Sequence, residues 1–181
     1  MSSQVTPRLT DEQKRFWLQH GFLKIPDCFS RSTADAFTAP MWDRLGASVT
    51  DKSSWPMGKL NMPSHSSQPA NSLAPKAWAA VCEVLGGEER IADWCKVWKD
   101  AFIPNFGQPD FRPDDPLHFR KLKNWHTDGD TFVHFLDSPE QALLIIPLFT
   151  DIAHKGGGTV ICTDSIGLVA KRLVKPNPGL P

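Results

Sequence analysis

The sequence predicts an α+β fold, on three observations. Helical grammar, meaning capping residues, apolar positions three to four apart and glycine stops, is confined to residues 9–95. From Lys96 onward the apolar residues fall in short runs divided by Pro, Gly and Asp, the pattern of strands and turns. The two kinds of segment follow one another and do not alternate, which argues against a parallel βαβ sheet. A chain of 181 residues is long enough for one core and short for two. The expectation is a single domain over 1–181, with a helical part at 9–95 and strands at 96–170 forming a β-sandwich or jelly roll.

The elements are expected in this order. In "LTDEQKRFWLQHGFLKI" Thr10 and Gln13 have capping-box spacing, Leu9, Phe16, Trp17 and Leu18 supply apolar contacts, and Gly21 stops the helix. "FLKI" reads as a short strand. Ser30 or Ser32 caps a second helix, which Pro40 should kink or delay. Residues 50–75 are rich in Ser, Pro and Asn without a sustained period, as in a lid, a binding loop or a mobile insertion. Pro75 opens a third helix, "KAWAAVCEVL", which Gly86 and Gly87 end. Four strands should follow, "KVWKDAFIPNF", "KLKNWHTD", "QALLIIPLFTDI" and "GGTVICTD".

Composition narrows the function. Lys plus Arg and Asp plus Glu number 20 each, so no global field favours nucleic acid or an anionic membrane, and no basic block interleaved with aromatics stands out. The polar start "MSSQVTPRLTDEQ" lacks a signal-peptide run, and the longest apolar run, "ALLIIPLF", is too short to span a bilayer. These features predict a cytoplasmic protein without nucleic-acid or membrane partners. Cys28, Cys82, Cys95 and Cys162 form no CxxC pair and are expected reduced, mostly packed as small apolar residues.

The stretch "NWHTDGDTF" carries the chemistry. On a strand His126 and Asp128 share a face, and an imidazole with a carboxylate suits Fe(II), Mn or Zn. Gly129 allows a tight turn directly after the pair. Asn124 and Trp125 are placed to wall or orient the site, and Asp130 to face it from one layer out or to face solvent. A strand-end histidine beside a turn aspartate gives the same pattern, so the pair alone does not identify a metal site.

The order "TDEQKRFWLQHGFLKIPDCFS", then "WHTDGD", then "IIPLFTDIAHKGGGTVICTDS" resembles the phytanoyl-CoA dioxygenase family of Fe(II)- and 2-oxoglutarate-dependent oxygenases, over roughly residues 9 to 170. The resemblance implies a double-stranded β-helix, with His126 and Asp128 as two members of a 2-His-1-carboxylate triad. Fe(II) would be the cofactor and 2-oxoglutarate the co-substrate, with hydroxylation or oxidation of a small organic or lipid-like substrate. The last strand departs from the family: "CTDS" (162–165) stands where Pro and a Gly-Ser-His turn are usual.

The resemblance also implies a distal histidine and a 2-oxoglutarate-binding arginine well past the glycine-rich strand, and "KRLVKPNPGLP" is reached before either. His134 shares strand parity with His126 and is the doubtful third ligand, while His118 and His154 read as exposed. Arg172 follows no distal histidine. The expectation is the first half of a double-stranded β-helix, incomplete at its C-terminus, with open sheet edges that favour self-association. Such a chain is a piece of an oxygenase, a non-catalytic binding or regulatory remnant, or one part of a split or swapped assembly. A zinc hydrolase using His126, Asp128 and His134 is a fourth reading.

Overall fold

The structure is a computed structural model and describes residues 9–107, 112, 114, 116–129 and 132–174. Its regular elements are α1 (Asp11–His20), α2 (Arg31–Leu45), β1 (Ser67–Pro69), α3 (Ala70–Leu73), α4 (Pro75–Leu85), β2 (Val97–Lys99) and α5 (Ile166–Val174), joined by short 3-10 turns. Helices and one small antiparallel sheet make the fold α+β. The described residues cluster into two compact units that interleave along the sequence. One takes residues from 9–11, 24–113 and 148–158, the other from 12–23, 114–147 and 159–174.

In the first unit β1 and β2 pair with Ser67 opposite Lys99 and Pro69 opposite Val97. The pairing continues beyond the named strands. Asp100 N–H donates to Ser66 O at 3.1 Å, Met62 N–H to Phe102 O at 2.9 Å, and Leu60 N–H to Pro104 O at 3.0 Å. Four residue steps from Met62 to Ser66 thus face only two from Asp100 to Phe102, so the 58–70 arm bulges outward by two residues. Within the stretch 50–75, expected as a lid, a binding loop or a mobile insertion, residues 58–70 are the hydrogen-bonded partner of 96–107. Pro63 and the run Ser64–Ser66 mask it in the sequence because they occupy the bulge.

The helices follow local chemistry. Ser30 caps α2 by accepting from Thr33 N–H at 3.0 Å, and Gly46 ends it at φ +62°. Pro40 does not delay this helix: α2 starts at Arg31 and runs through it. Ala36, whose carbonyl a residue at position 40 would have engaged, lies on the exposed face with Pro40, so water can serve that group. The opposite face buries Ala34, Phe37 and Met41. Pro75 opens α4, and Gly87 N–H closes it on Cys82 O at 2.8 Å. Phe37, Met41, Leu73 and Phe102 form the core of this unit. Phe149 joins them, 5.1 Å from the Phe37 ring and stacked at 5.0 Å on Phe29.

In the second unit α1 stops at Gly21, whose φ of +70° and N–H bond to Trp17 O (2.8 Å) match the expected stop. A Cβ at Gly21 would strike the side chain of Ile166 at the start of α5. "FLKI" forms no strand. Phe22 turns back to pack edge-on against Phe16 at 5.1 Å, and no described segment pairs with its backbone.

Three further expected strands form no ladder among the described residues. In "ALLIIPLF" exposure alternates, with Leu143, Ile145 and Phe149 half-buried and Leu144, Ile146 and Leu148 exposed, as in an extended chain without a paired neighbour. "KLKNWHTD" is interrupted by Asn124 in the left-handed region at φ +68°. "GGTVICTD" ends in a 3-10 turn, Thr163–Ser165, that leads into α5, a helix the sequence reading had not anticipated. All four cysteines are free; Cys28 and Cys82 are half-buried, whereas Cys95 and Cys162 are exposed rather than packed. Among the described residues no helix is long and apolar enough to cross a membrane.

Candidate metal centre

The segment bearing His126 and Asp128 belongs to the second unit and starts from a 3-10 turn, Phe119–Lys121. The left-handed conformation of Asn124 costs an Asn less than most residues and folds its carbonyl back over the next two positions. That carbonyl lies 2.8 Å from His126 Nδ1. A carbonyl oxygen only accepts, so Nδ1 is the donor, and the neutral ring then presents its lone pair at Nε2. Backbone-to-imidazole bonds of this kind commonly orient metal-binding histidines.

His126 Nε2 and Asp128 Oδ1 stand 3.7 Å apart, with the two side chains 54% and 61% exposed. This separation is long for a hydrogen bond. Two donors each about 2.1 Å from one tetrahedral or octahedral cation would stand about 3.0–3.4 Å apart, so a small side-chain adjustment would let the pair share an ion. The pair is brought together by a kinked loop and not by the strand alternation expected. Gly129 follows at φ +124°, where a Cβ would lie 2.6 Å from the Phe132 ring and 2.9 Å from His134 Cε1. Glycine is required there by backbone and by space.

The other expected residues are placed as follows. Asn124 orients the site through its main-chain oxygen, and Trp125 is exposed. His134 packs near Gly129 and is only 3% exposed, with its Nδ1 held by the Gln141 side-chain amide and its ring 4.6 Å from that of Phe132. These contacts suit a packed structural histidine. His118 and His154 are exposed, as expected, and Arg172 is exposed on α5. Asp130 lies outside the described residues. Among the described residues, which include all six histidines, no three His, Cys, Asp or Glu side chains are grouped to hold a metal ion.

The most elaborate polar constellation was not anticipated from sequence. Asp100 is buried inside the bulge of the first unit. Its Oδ1 accepts from His65 N–H (2.7 Å), Ser66 N–H (2.8 Å) and Ser64 Oγ–H (3.1 Å). Its Oδ2 meets Arg44 Nη1 at 3.2 Å, and Arg44 Nη2 also donates to Pro63 O. Burial alone would raise the carboxyl, but the hydrogen bonds from Ser66, His65 and Ser64 outweigh it and hold Asp100 well below the usual carboxylate range. Both carboxylate oxygens are engaged within the fold, which marks a structural and not a ligand-binding carboxylate. A buried charge leaves no periodic trace; the polar run "PSHSS" was its only sequence signal.

Comparison with known proteins gave no match to any family model, curated protein or solved structure.

Proposed function

We propose that the chain is an Fe(II)/2-oxoglutarate dioxygenase-like protein, carrying the front half of a double-stranded β-helix, in which His126 and Asp128 form a two-ligand half-site for a divalent cation. One observation carries this reading: His126 Nε2 is freed for coordination by the Asn124 carbonyl and faces Asp128 Oδ1 across 3.7 Å. The order of sequence motifs supplies the family. Bound Fe(II) with 2-oxoglutarate would supply oxidising power toward a small organic or lipid-like substrate. The residues described do not complete a triad, so no oxidation step is derived for them. Their own contribution is to fix the imidazole tautomer, present one nitrogen and one carboxylate oxygen, and leave the remaining cation positions open.

The lack of a third donor among the described residues favours a second reading, a non-catalytic binding or regulatory protein that retains the half-site. Metal titration and turnover separate the two. Mn(II) affinity, followed by the loss of its free-ion EPR signal, should fall about tenfold or more in His126→Ala and in Asp128→Asn. Unchanged affinity in both variants would remove the half-site. Succinate release from 2-oxoglutarate with Fe(II), abolished by His126→Ala, would identify an oxygenase. Metal binding without release would identify the binding protein.

A further inference from the structure

Acids and bases cancel over the whole chain but not locally. From Pro116 to Thr127 the sequence carries Arg120, Lys121 and Lys123 and no Asp or Glu, with Asp114, Asp115 and Asp128 just outside this stretch. All three are exposed, and none forms an ion pair with an acidic side chain among the described residues. Interleaved with them, Leu117 and Phe119 are 42% and 55% exposed. The turn closes through Lys121 N–H to His118 O (2.8 Å) and Leu122 N–H to Phe119 O (3.1 Å). Leu117, His118, Phe119, Arg120 and Lys121 thereby line one open depression of about 500 Å³. The same short turn thus offers cations and large apolar groups to solvent together, a combination that the balanced composition conceals.

We propose that this strip docks the chain on an anionic phospholipid surface, with Arg120, Lys121 and Lys123 at the level of the headgroups and Leu117 and Phe119 inserted beside them. The cations are drawn by the negative leaflet, and exposed apolar side chains among them add buried area that a purely electrostatic contact lacks. The apolar members decide between lipid and nucleic acid. Binding of single strands uses successive aromatic faces as stacking platforms, whereas here the exposed aromatics Phe119 and Trp125 are six positions apart and Phe119 has leucines on either side, at 117 and 122, which suit acyl chains. Lys123 precedes His126 by three positions, and lipid contact by the strip does not require that the His126–Asp128 pair hold a cation.

Co-sedimentation of the intact chain with phosphatidylcholine vesicles, with and without phosphatidylserine, tests the proposal. Binding should require phosphatidylserine. Each neutralised cation should lower the partition coefficient about fivefold, giving on the order of 100-fold for R120Q/K121Q/K123Q together. Phe119→Ser should lower it about tenfold with the charge intact. High salt should release the unmodified protein, an independent reading should the triple variant misfold. Equal binding to neutral vesicles, no binding at all, or full binding by a folded triple variant would overturn the proposal. So would competition by millimolar inorganic phosphate, or capture of a single-stranded oligonucleotide without vesicle binding.

Discussion

Replacing Asp100 tests the most constrained part of the fold. Asp100→Ala removes a buried carboxylate that serves three donors on one oxygen and the Arg44 guanidinium on the other. Breaking a buried ion pair from one side costs about 3–5 kcal/mol. The lower end applies here, because Ser64, His65 and Ser66 are exposed and water can replace the carboxylate at their N–H and O–H groups. We therefore expect a loss of about 3 kcal/mol for Asp100→Ala. Asp100→Asn keeps an acceptor for the three donors but turns neutral toward Arg44, and should lose about 2 kcal/mol. Urea denaturation followed by tryptophan fluorescence gives both values. A double-mutant cycle with Arg44→Gln should return a coupling of about 1–3 kcal/mol. If both Asp100 variants unfold within about 0.5 kcal/mol of the unmodified chain, the cradle contributes nothing net and the reasoning fails.

The same carboxylate predicts an acid response. Its folded pKa lies below the unfolded value of about 3.9, so its stabilisation is fully present above that value and drains away as pH falls through it toward the folded pKa. The urea midpoint of the unmodified chain should drop below about pH 4, and Asp100→Asn should lose less over the same interval. Pro40→Ala, on the exposed face of α2, should stabilise by about 2 kcal/mol, the helix gain being reduced by extra freedom in the unfolded chain; a loss on thermal melting would contradict the account of Ala36. Gly129→Ala should destabilise by about 1–3 kcal/mol, and NMR of the His126 and His134 imidazoles should show both displaced. Ile146→Lys should suppress any concentration-dependent association seen by sedimentation velocity, since Leu144, Ile146 and Leu148 form an exposed apolar row on an unpaired extended segment.

What could be read in advance was what short-range chemistry decides. Ser30, Gly21, Pro75 and Gly86 act on backbone groups within a few residues, and each bounds a helix where expected. His126 and Asp128 lie near one another for the same local reason, being two positions apart. The failures are nonlocal. Pro40 does not delay α2 because its cost depends on which way Ala36 faces, and that is set by packing around Phe37 and Met41. The 50–75 stretch shows no period because its partner, 96–107, meets it through a bulge. Asp100 looks in the sequence like any strand-end acid; its burial follows only from the arrival of Arg44 and Ser64–Ser66. A third metal donor is likewise a long-range property, and spacing around His126 could not supply it.

The bulge around Asp100 has a consequence for how the two arms find each other. Side chains along an extended strand repeat every two residues, so sliding one arm by two positions would keep each apolar side chain on its original face. Hydrophobic patterning is blind to that error. The carboxylate is not blind to it. Only when Met62 meets Phe102 and Ser66 meets Asp100 do the extra residues sit where their N–H and O–H groups converge on Oδ1. In the displaced alignment the charge would enter the interior without donors, at a cost of several kcal/mol. A single acidic side chain thus works as a vernier mark, choosing one alignment among pairings that greasy residues alone would leave nearly degenerate.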